Sequence, residues 1–212
     1  MRRITYIIIF LFSVNLTYCQ SYETKDVIAK AESYLKSAVG EELFKYFSLG
    51  EHSDYKYQTK SGKSKWKDIR RGKRTNGIFV NADHINFVLN HPAFQYPYVS
   101  KTVYVELDSD LNLIREIYLD QIPKFLLRNE PSDWKTESQI DEIITKQNLK
   151  KAVNKVSKRL EFDTKSKEYY WIVFNTLYEE KCFADQEILH INAVSGIVFK
   201  HFEERQYIMH CN

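Results

Sequence analysis

The chain has 212 residues, 43% of them hydrophobic and 15% aromatic, a composition that supports a buried core and excludes a disordered chain. Its 31 Lys and Arg against 28 Asp and Glu give a formal net charge of +3, and only +1 remains without Arg2 and Arg3. This balance excludes a global electrostatic attraction to nucleic acid.

The N-terminal residues predict export. Arg2 and Arg3 precede an apolar run, Ile4 to Leu16, which is too short for a bilayer-spanning helix and has the charge and length of a secretory signal. We therefore treat residues 1–19 as a signal peptide and expect a periplasmic or secreted protein. After cleavage, no transmembrane span is expected.

The cleavage site has two interpretations. Small residues before it favour cutting between Cys19 and Gln20, although the bulky Phe12 and Val14 leave other registers open. The stretch Leu16-Thr17-Tyr18-Cys19 also resembles a lipobox, with Tyr18 where a small residue is usual. A lipoprotein that retains an acylated Cys19 is the alternative.

The first predicted element after the signal is an amphipathic helix that ends near Gly40. Its apolar positions recur at steps of three and four residues and are Val27, Ile28, Ala31, Tyr34, Leu35, Ala38 and Val39. A short helical turn, Glu41 to Phe47, follows. Aromatic and β-branched residues then predict three strands, Ile85 to Asn90, Thr102 to Leu107 and Leu113 to Leu119.

A basic insertion, residues 49–82, interrupts this first half. It contains nine cationic residues: Lys56, Lys60, Lys63, Lys65, Lys67, Arg70, Arg71, Lys73 and Arg74. Ser61-Gly62 predicts a hairpin turn between Tyr55 to Thr59 and Ser64 to Ile69. This hairpin is a candidate site for an anionic glycan, a lipid head group or an acidic protein, with Tyr55, Tyr57 and Trp66 as amphipathic contacts; a solvated charged loop is the alternative.

Residues 123–144 are predicted to link two halves, since prolines and polar residues interrupt the strand pattern there. Thr136 and Gln139 could form a capping box that opens a short helix through Ile144. A second amphipathic helix is expected after an N-cap at Thr145, with apolar positions Leu149, Ala152, Val153, Val156 and Leu160. Three strands follow: Tyr169 to Tyr178, Glu187 to Asn192 and Ile197 to Glu203.

The two halves align with each other. NFVLN, Asn86 to Asn90, matches WIVFN, Trp171 to Asn175, and VELDSDLNLI, Val105 to Ile114, matches LHINAVSGIV, Leu189 to Val198. Order and spacing are both kept. We therefore predict an α+β fold of two tandem repeats, residues 20–122 and 145–212, each an amphipathic helix packed on an antiparallel sheet.

The stretch Leu189 to Val198 resembles the closing hairpin of PepSY domains, in which an apolar strand leads to Asp-Ala, a variable residue and Thr-Gly. Asn192, Ala193, Ser195 and Gly196 match this signature, with Asn for Asp and Ser for Thr. The resemblance covers residues 145–204, and the first half is a degenerate copy that has Asn112 in place of the glycine. It implies a cystatin-type helix-on-sheet architecture and a binding or regulatory role outside the cytoplasm, without a cofactor.

Two cysteines remain after the signal, and in an exported chain an even count suggests a disulfide. A turn at Val194-Ser195 would bring the third strand of the second half beside the connection that carries Cys182, with Glu204 near Gln186. We therefore predict a Cys182 to Cys211 disulfide at that sheet edge. Two free thiols are the alternative.

Catalytic and metal-binding patterns are weak. The same hairpin would place His190 and His201 on one sheet face, which supplies two ligands where a zinc site needs three or four. Asp83-His84 and Asn90-His91-Pro92 are interpreted as polar residues at strand ends, because no nucleophile motif such as Gly-x-Ser-x-Gly or His-Glu-x-x-His occurs. We expect no metal and no enzymatic activity.

Two functions remain. The first is an exported, noncatalytic binding or regulatory protein of the bacterial envelope that engages a protein partner such as a secreted peptidase. The second is an envelope module that holds an anionic glycan or lipid surface through the basic insertion. Nucleic acid is disfavoured by export.

Overall fold

The computed structural model describes residues 20–207. The predicted signal peptide and Cys19 lie outside these residues, as does Cys211. The chain forms two compact units. The first comprises the described residues up to Ala38 with Leu49–Phe87 and Tyr104–Ile117, and the second comprises Val39–Ser48, Val88–Val103 and the described chain from Tyr118 onward.

Four helices lie within residues 20–207: α1 Thr24–Val39, α2 Glu41–Phe44, α3 Lys124–Leu127 and α4 Glu137–Thr145. The prediction of α1 is confirmed, since Val27, Ala31 and Leu35 are fully buried at the expected steps and Gly40 follows its end. The predicted capping box of α4 is also confirmed. The Thr136 side chain accepts from the Gln139 amide, and the Gln139 side chain accepts from the Thr136 amide.

The first sheet has five strands: β1 Phe47–Leu49, β2 Asp54–Gln58, β3 Ser64–Asp68, β4 Ile78–Leu89 and β5 Thr102–Leu107. The long β4 pairs with β1, β2 and β5, and β2 pairs antiparallel with β3 as the predicted hairpin. The predicted strand Leu113 to Leu119 is wrong. Within residues 20–207, the segment Leu113 to Leu119 forms only an isolated β-bridge, between Leu113 and Leu107, because its later residues have no strand partner in this range.

The second sheet has four antiparallel strands in the order β6 Ser157–Asp163, β7 Glu168–Glu179, β8 Phe183–Asn192 and β9 Val198–Tyr207. The three strands predicted in this half are confirmed as β7, β8 and β9. The predicted helix over residues 149–160 is wrong, since its end forms β6 and pairs with β7. Strand pairing buries Leu160 opposite Trp171, while Val153, a supposed core residue, is exposed.

One face of the second sheet is covered within its unit. Tyr169, Trp171 and Val173 of β7 are buried there with Leu189 and Ile191 of β8. An aromatic cluster packs on this face. Its ring contacts join Phe94 to Tyr169, Tyr96 to Trp171, Trp134 to Tyr169 and Phe125 to Trp134. Residues predicted to form a linker thus belong to this core.

The α4 helix also packs beside the second sheet. The Lys158 ammonium on β6 forms ion pairs with Glu137 and Asp141 of α4 and lies 5.9 Å from the Trp171 ring centroid. The second unit therefore combines helices with an antiparallel sheet, and the α+β class is confirmed.

The register of β8 and β9 differs from the prediction by one residue. Gln186 lies opposite Glu204 as expected, but a β-bulge at Phe199 places Lys200 opposite His190 and His201 opposite Leu189. Because one extra residue moves the rest of a strand to the other face, His190 and His201 lie on opposite faces. The predicted pairing of these histidines on one face is wrong.

Candidate functional site

The turn from Asn192 to Ile197, here called the hairpin turn, is organised by the Asn192 side chain. Its Oδ1 accepts hydrogen bonds from the amides of Val194 and Ser195 at 3.0 and 2.8 Å, and from the Ser195 hydroxyl at 3.1 Å. Its Nδ2 donates to Glu168 at 3.0 Å. The side chains of the signature residues Asn192 and Ser195 therefore fix the geometry of this turn.

Small residues in the hairpin turn allow close packing. Gly196 has φ 75°, and a Cβ there would lie 2.8 Å from Cδ1 of Ile143 on α4. Ala193 is fully buried, and its carbonyl accepts from the Lys135 amide at 2.7 Å. The signature thus joins the β8–β9 hairpin to the segment that begins α4. In the first half the residue of positive φ is Leu111, one position before Asn112, the residue that the alignment matches to Gly196.

A cleft of about 370 Å³, here called the first cleft, opens beside the hairpin turn. Its apolar lining is mainly Tyr170, Ile197 and Phe199, and its polar lining includes Glu168 and Lys200. His190 also lines the cleft, and burial together with nearby Lys200 lowers the pKa of this imidazole. The cleft therefore presents an imidazole and aromatic rings near charges of both signs.

Hydroxyl groups in the first cleft already have partners. Ser195 Oγ donates to Asn192 and accepts from the Ile197 amide at 3.2 Å. Ser166 donates to Asp163 at 3.0 Å, and hydrogen bonds from the Lys165 amide and from Ser166 lower the pKa of Asp163. These groups hold turns, and the arrangement supports ligand binding more directly than nucleophilic chemistry.

A second cleft of about 350 Å³ shares Glu168, Tyr169, Asn192 and Ser195 with the first. Trp134 and Val194 supply apolar lining, while the charged residues at this cleft are Asp120, Lys124, Asp133, Lys167 and Glu168. Lys167 forms an ion pair with Asp120 at 2.7 Å. The two clefts therefore meet at the signature residues.

An apolar surface continues from the hairpin turn along β9. It consists of four side chains that are 37 to 63% exposed and are here called the hairpin patch: Val194, Ile197, Phe199 and Phe202. His190 contacts both phenylalanines, with ring centroids 5.7 and 5.6 Å apart, and contacts Tyr170 at 5.0 Å. Exposed apolar side chains grouped along one turn and strand are typical of an interaction surface.

The basic insertion folds as the β2–β3 hairpin, but its nine cations are not equivalent. Arg70 forms a two-point hydrogen bond with Asp68, which lowers the pKa of that carboxyl, and Arg71 lies 3.9 Å from the same group. Lys67 donates to Asn76, and Arg74 donates to the Ser21 carbonyl. These cations have local partners that reduce their availability to a ligand.

The remaining cations of the insertion are more available. Lys56 lies over the Trp66 ring at 5.9 Å. The ammonium groups of Lys60, Lys63, Lys65 and Lys73 have no hydrogen-bond or ion-pair partner within residues 20–207. Tyr55, expected to contact a ligand, is instead fully buried, and its hydroxyl accepts from the Asn76 amide.

The exposed His201 contacts a buried polar group on the covered face of the second sheet. Glu187 is only 4% exposed and accepts from His201, the Asn175 side chain and the Lys150 amide at 2.8 to 2.9 Å. Burial raises the pKa of Glu187, but these hydrogen bonds together outweigh burial and the pKa is lowered. No group of three or more metal-ligating side chains occurs in the described part of the chain.

The other histidines of interest have structural contacts. His84 meets Tyr104 edge-on at 5.8 Å. His91 packs on Tyr46 at 4.2 Å, its Nδ1 accepts from the Ala93 amide, and burial lowers its pKa.

Cys182 is half-buried in the connection between β7 and β8. The neighbouring Phe183 pairs with Tyr207, four residues before Cys211. Because Cys211 lies outside the described residues, the disulfide stays a prediction.

The clefts and the Glu187 group were missed from the sequence. Glu187 is a charged residue between the apolar Ala184 and Ile188, a pattern that predicts a solvent-facing strand position. Only the pairing of Glu187 with Asn175 shows that it is buried. In the sequence of β7, the residues that point to each of the two sheet faces are mostly apolar, which indicates that both faces need cover or a partner.

Comparison with known proteins gives no relatives: no protein-family model, curated protein or solved structure matches the chain. Within residues 20–207, every helix is too short or too polar to cross a membrane.

Proposed function

We propose that the chain is an exported, noncatalytic binding or regulatory protein of the bacterial envelope, built from two PepSY-like repeats, that engages a protein partner such as a secreted peptidase. The observation that carries this proposal is the hairpin patch beside two clefts. Exposed aromatic and aliphatic side chains next to charged groups of both signs are characteristic of protein-binding surfaces.

The repeat interpretation is supported by matching strand sequences. In each half a helix with a buried face precedes a twelve-residue strand, β4 or β7, which pairs with the strand that follows, β5 or β8. Each following strand leads into a turn whose amides donate hydrogen bonds to one side chain, Asp108 directly after β5 or Asn192 at the end of β8. The second half differs from the prediction, because its helix is α4, which lies in the predicted linker, and the end of the predicted helix forms β6 instead.

A capture experiment tests the proposed partner surface. The chain, immobilised by its N-terminus, is incubated with envelope extract at low and high salt, and bound proteins are identified by mass spectrometry. We expect a partner held at both salt concentrations, because apolar contacts are weakly screened. Replacing Val194 and Ile197 by Ser should remove it.

The matched control replaces Ile114 and Val153 by Ser, since these aliphatic side chains are exposed to a similar degree elsewhere. This variant should retain the partner. Equal capture by both variants would show that the hairpin patch is not the binding surface.

The second candidate function is binding of an anionic glycan or lipid by the β2–β3 hairpin. It is favoured by the four ammonium groups without local partners among residues 20–207, Lys60, Lys63, Lys65 and Lys73. Replacing all four by Ser should abolish retention on a sulfated polysaccharide matrix at low salt, because exposed cations contribute through screened charge attraction.

A control for net charge replaces Lys146, Lys151, Lys155 and Lys165 by Ser. These exposed lysines lie outside the hairpin, so retention should persist. Equal loss in both variants would indicate a nonspecific charge effect. Full retention by the hairpin variant would exclude the site.

A further inference from the structure

Strand β9 forms one edge of the second sheet. It is ten residues long, and every residue from Phe199 to Tyr207 is exposed. One edge of β9 pairs with β8, and the other has no strand partner within residues 20–207. Its outward amide and carbonyl groups can therefore accept another strand.

The sequence of β9 has only part of the usual protection against such pairing, because its bulge lies near one end, at Phe199, and the run from Lys200 to Tyr207 is regular. Edge strands are commonly short, bulged, interrupted by proline or lined by charged side chains. The β9 strand has no proline, and its charges are of both signs: Lys200, Glu203, Glu204 and Arg205. This composition allows attraction between two copies.

We propose that β9 pairs antiparallel with β9 of a second copy of this chain, about a twofold axis at Phe202. The proposal is independent of the partner-binding function proposed above. The paired strands would join two four-stranded sheets into one sheet of two copies.

The register follows from geometry and charge. Along a strand, alternate residues direct their backbone groups to the same edge. A twofold antiparallel pair of identical strands must therefore be centred on a residue that lies opposite the same residue of the other copy. A centre at Phe202 places Lys200 opposite Glu204 on both sides of the axis, and His201 opposite Glu203. Directly opposed opposite charges stabilise strand pairing.

Neighbouring centres bring like groups together. If the axis passes through Lys200, Glu203 or Glu204, that charged residue lies opposite the same residue of the other copy, and the two like charges repel. With the axis at Glu203 or Glu204, Lys200 also has no acidic residue opposite it. A centre at His201 opposes two imidazoles and places Lys200 opposite Phe202. Phe202 is the centre in this strand that gives two opposite-charge pairs without a like-charge pair.

The charges that would meet across the axis are available. Arg205 pairs with Asp185 at 2.7 Å, and Glu203 pairs with Lys150. By contrast, the side chains of Lys200 and Glu204 have no hydrogen-bond or ion-pair partner in the described chain. Both lie on the same sheet face as Phe202.

Charge exchange tests both the dimer and its register. The association constant of the chain without its signal is measured by sedimentation equilibrium for wild type, Lys200→Glu and Glu204→Lys. We expect wild type to dimerise and each single variant to associate about tenfold more weakly or worse, because each places like charges opposite each other twice.

Mixing the two single variants should restore association as a heterodimer. One variant carries a carboxylate at both positions 200 and 204 and the other carries an ammonium group at both, so each pair across the axis again joins opposite charges. The double variant Lys200→Glu/Glu204→Lys should likewise dimerise as wild type. Lys151→Glu, an exposed charge change elsewhere, should dimerise normally. Circular dichroism and thermal unfolding verify that each variant is folded.

A wild type that stays monomeric up to its solubility limit would overturn the proposal. Single variants that associate as strongly as wild type would overturn the register, and so would a mixture that associates no better than its components.

Discussion

Two turns close the strands that the sequence aligns, one after β5 and one after β8. In the first, Asp108 Oδ1 accepts from the amides of Asp110 and Asn112 at 2.9 and 2.8 Å. In the second, Asn192 Oδ1 accepts from the second and third following amides at 3.0 and 2.8 Å. A turn at the same place in the two halves is thus stabilised by a charged group in one and a neutral group in the other.

The turns differ in what surrounds their residue of positive φ. Leu111 adopts φ 63° despite its Cβ, whereas Gly196 adopts φ 75° where a Cβ would meet Ile143. A left-handed conformation is tolerated by a leucine in one turn, while the other needs glycine for space as well as for backbone freedom. The comparison teaches that the two turns place their residue of positive φ one position apart in the alignment, and that only the second turn needs glycine for packing.

The largest expected effect comes from the residues just before the turns. Leu107 and Ile191 are both fully buried, and each is bridged to the returning chain. Replacing either by Ala should lower the free energy of unfolding by roughly 2 to 5 kcal/mol through lost burial and a cavity. Denaturant titration measures this loss.

The exposed Ile114 and Ile197, which follow the same turns, are the controls. Their replacement by Ala should change stability by about 0.5 kcal/mol or less. Tolerance of Ala at both Leu107 and Ile191 would contradict the alignment of the halves.

A smaller effect is expected for Gly196→Ala, because the new Cβ combines left-handed strain with the close Ile143 contact. The backbone strain alone should cost about 1 to 2 kcal/mol. In an Ile143→Ala background the steric part of the loss should disappear and the backbone part should remain. Equal losses in both backgrounds would show that the Ile143 contact contributes nothing, and thermal unfolding of the four proteins distinguishes these cases.

The smallest effects concern charge in the two turns. Hydrogen bonds, chiefly from the Asn112 amide, lower the pKa of Asp108 below its ordinary value of 3.8. A folded pKa below the unfolded one stabilises the protein above the unfolded pKa, and this contribution is lost as pH falls through the folded pKa. Asp108→Asn should therefore flatten the stability profile below about pH 4, as measured by thermal unfolding across that range.

The reciprocal change, Asn192→Asp, would place a carboxylate beside Glu168 and replace a hydrogen bond by repulsion. Stability near neutral pH should fall by roughly 1 kcal/mol or less, and acidification that protonates either carboxylate should reduce the difference from wild type. A difference that stays constant from neutral pH down to about pH 4, where carboxyl groups begin to protonate, would contradict this explanation.

The parts of the fold predicted correctly from the sequence are those with strong local periodicity. The stripe of α1, the hairpin around Gly62 and the strands β7, β8 and β9 were all anticipated from spacing and turn residues. The capping box of α4 was equally local, because its two hydrogen bonds join residues three apart.

The failures have a common physical cause in long-range pairing. Leu149, Val153 and Leu160 fit a helical stripe, yet β7 offers an open edge that Ser157–Asp163 pairs with instead. Strand preference depends on such partners more than on the segment itself. The clefts and the buried Glu187 depend on the same pairings, so spacing along the chain could not place them.

The bulge at Phe199 has a consequence for how β9 can change during evolution. Substitutions on this exposed strand alter one side chain each and leave its neighbours on their own faces. Deleting Phe199, the one residue between Val198 and Lys200, would remove the bulge and restore regular pairing, so that Lys200 would stay opposite His190 and His201 would stay beside buried Glu187. We therefore expect natural variants to tolerate the loss of Phe199 as well as altered side chains along β9, because the residues from Lys200 onward keep their faces.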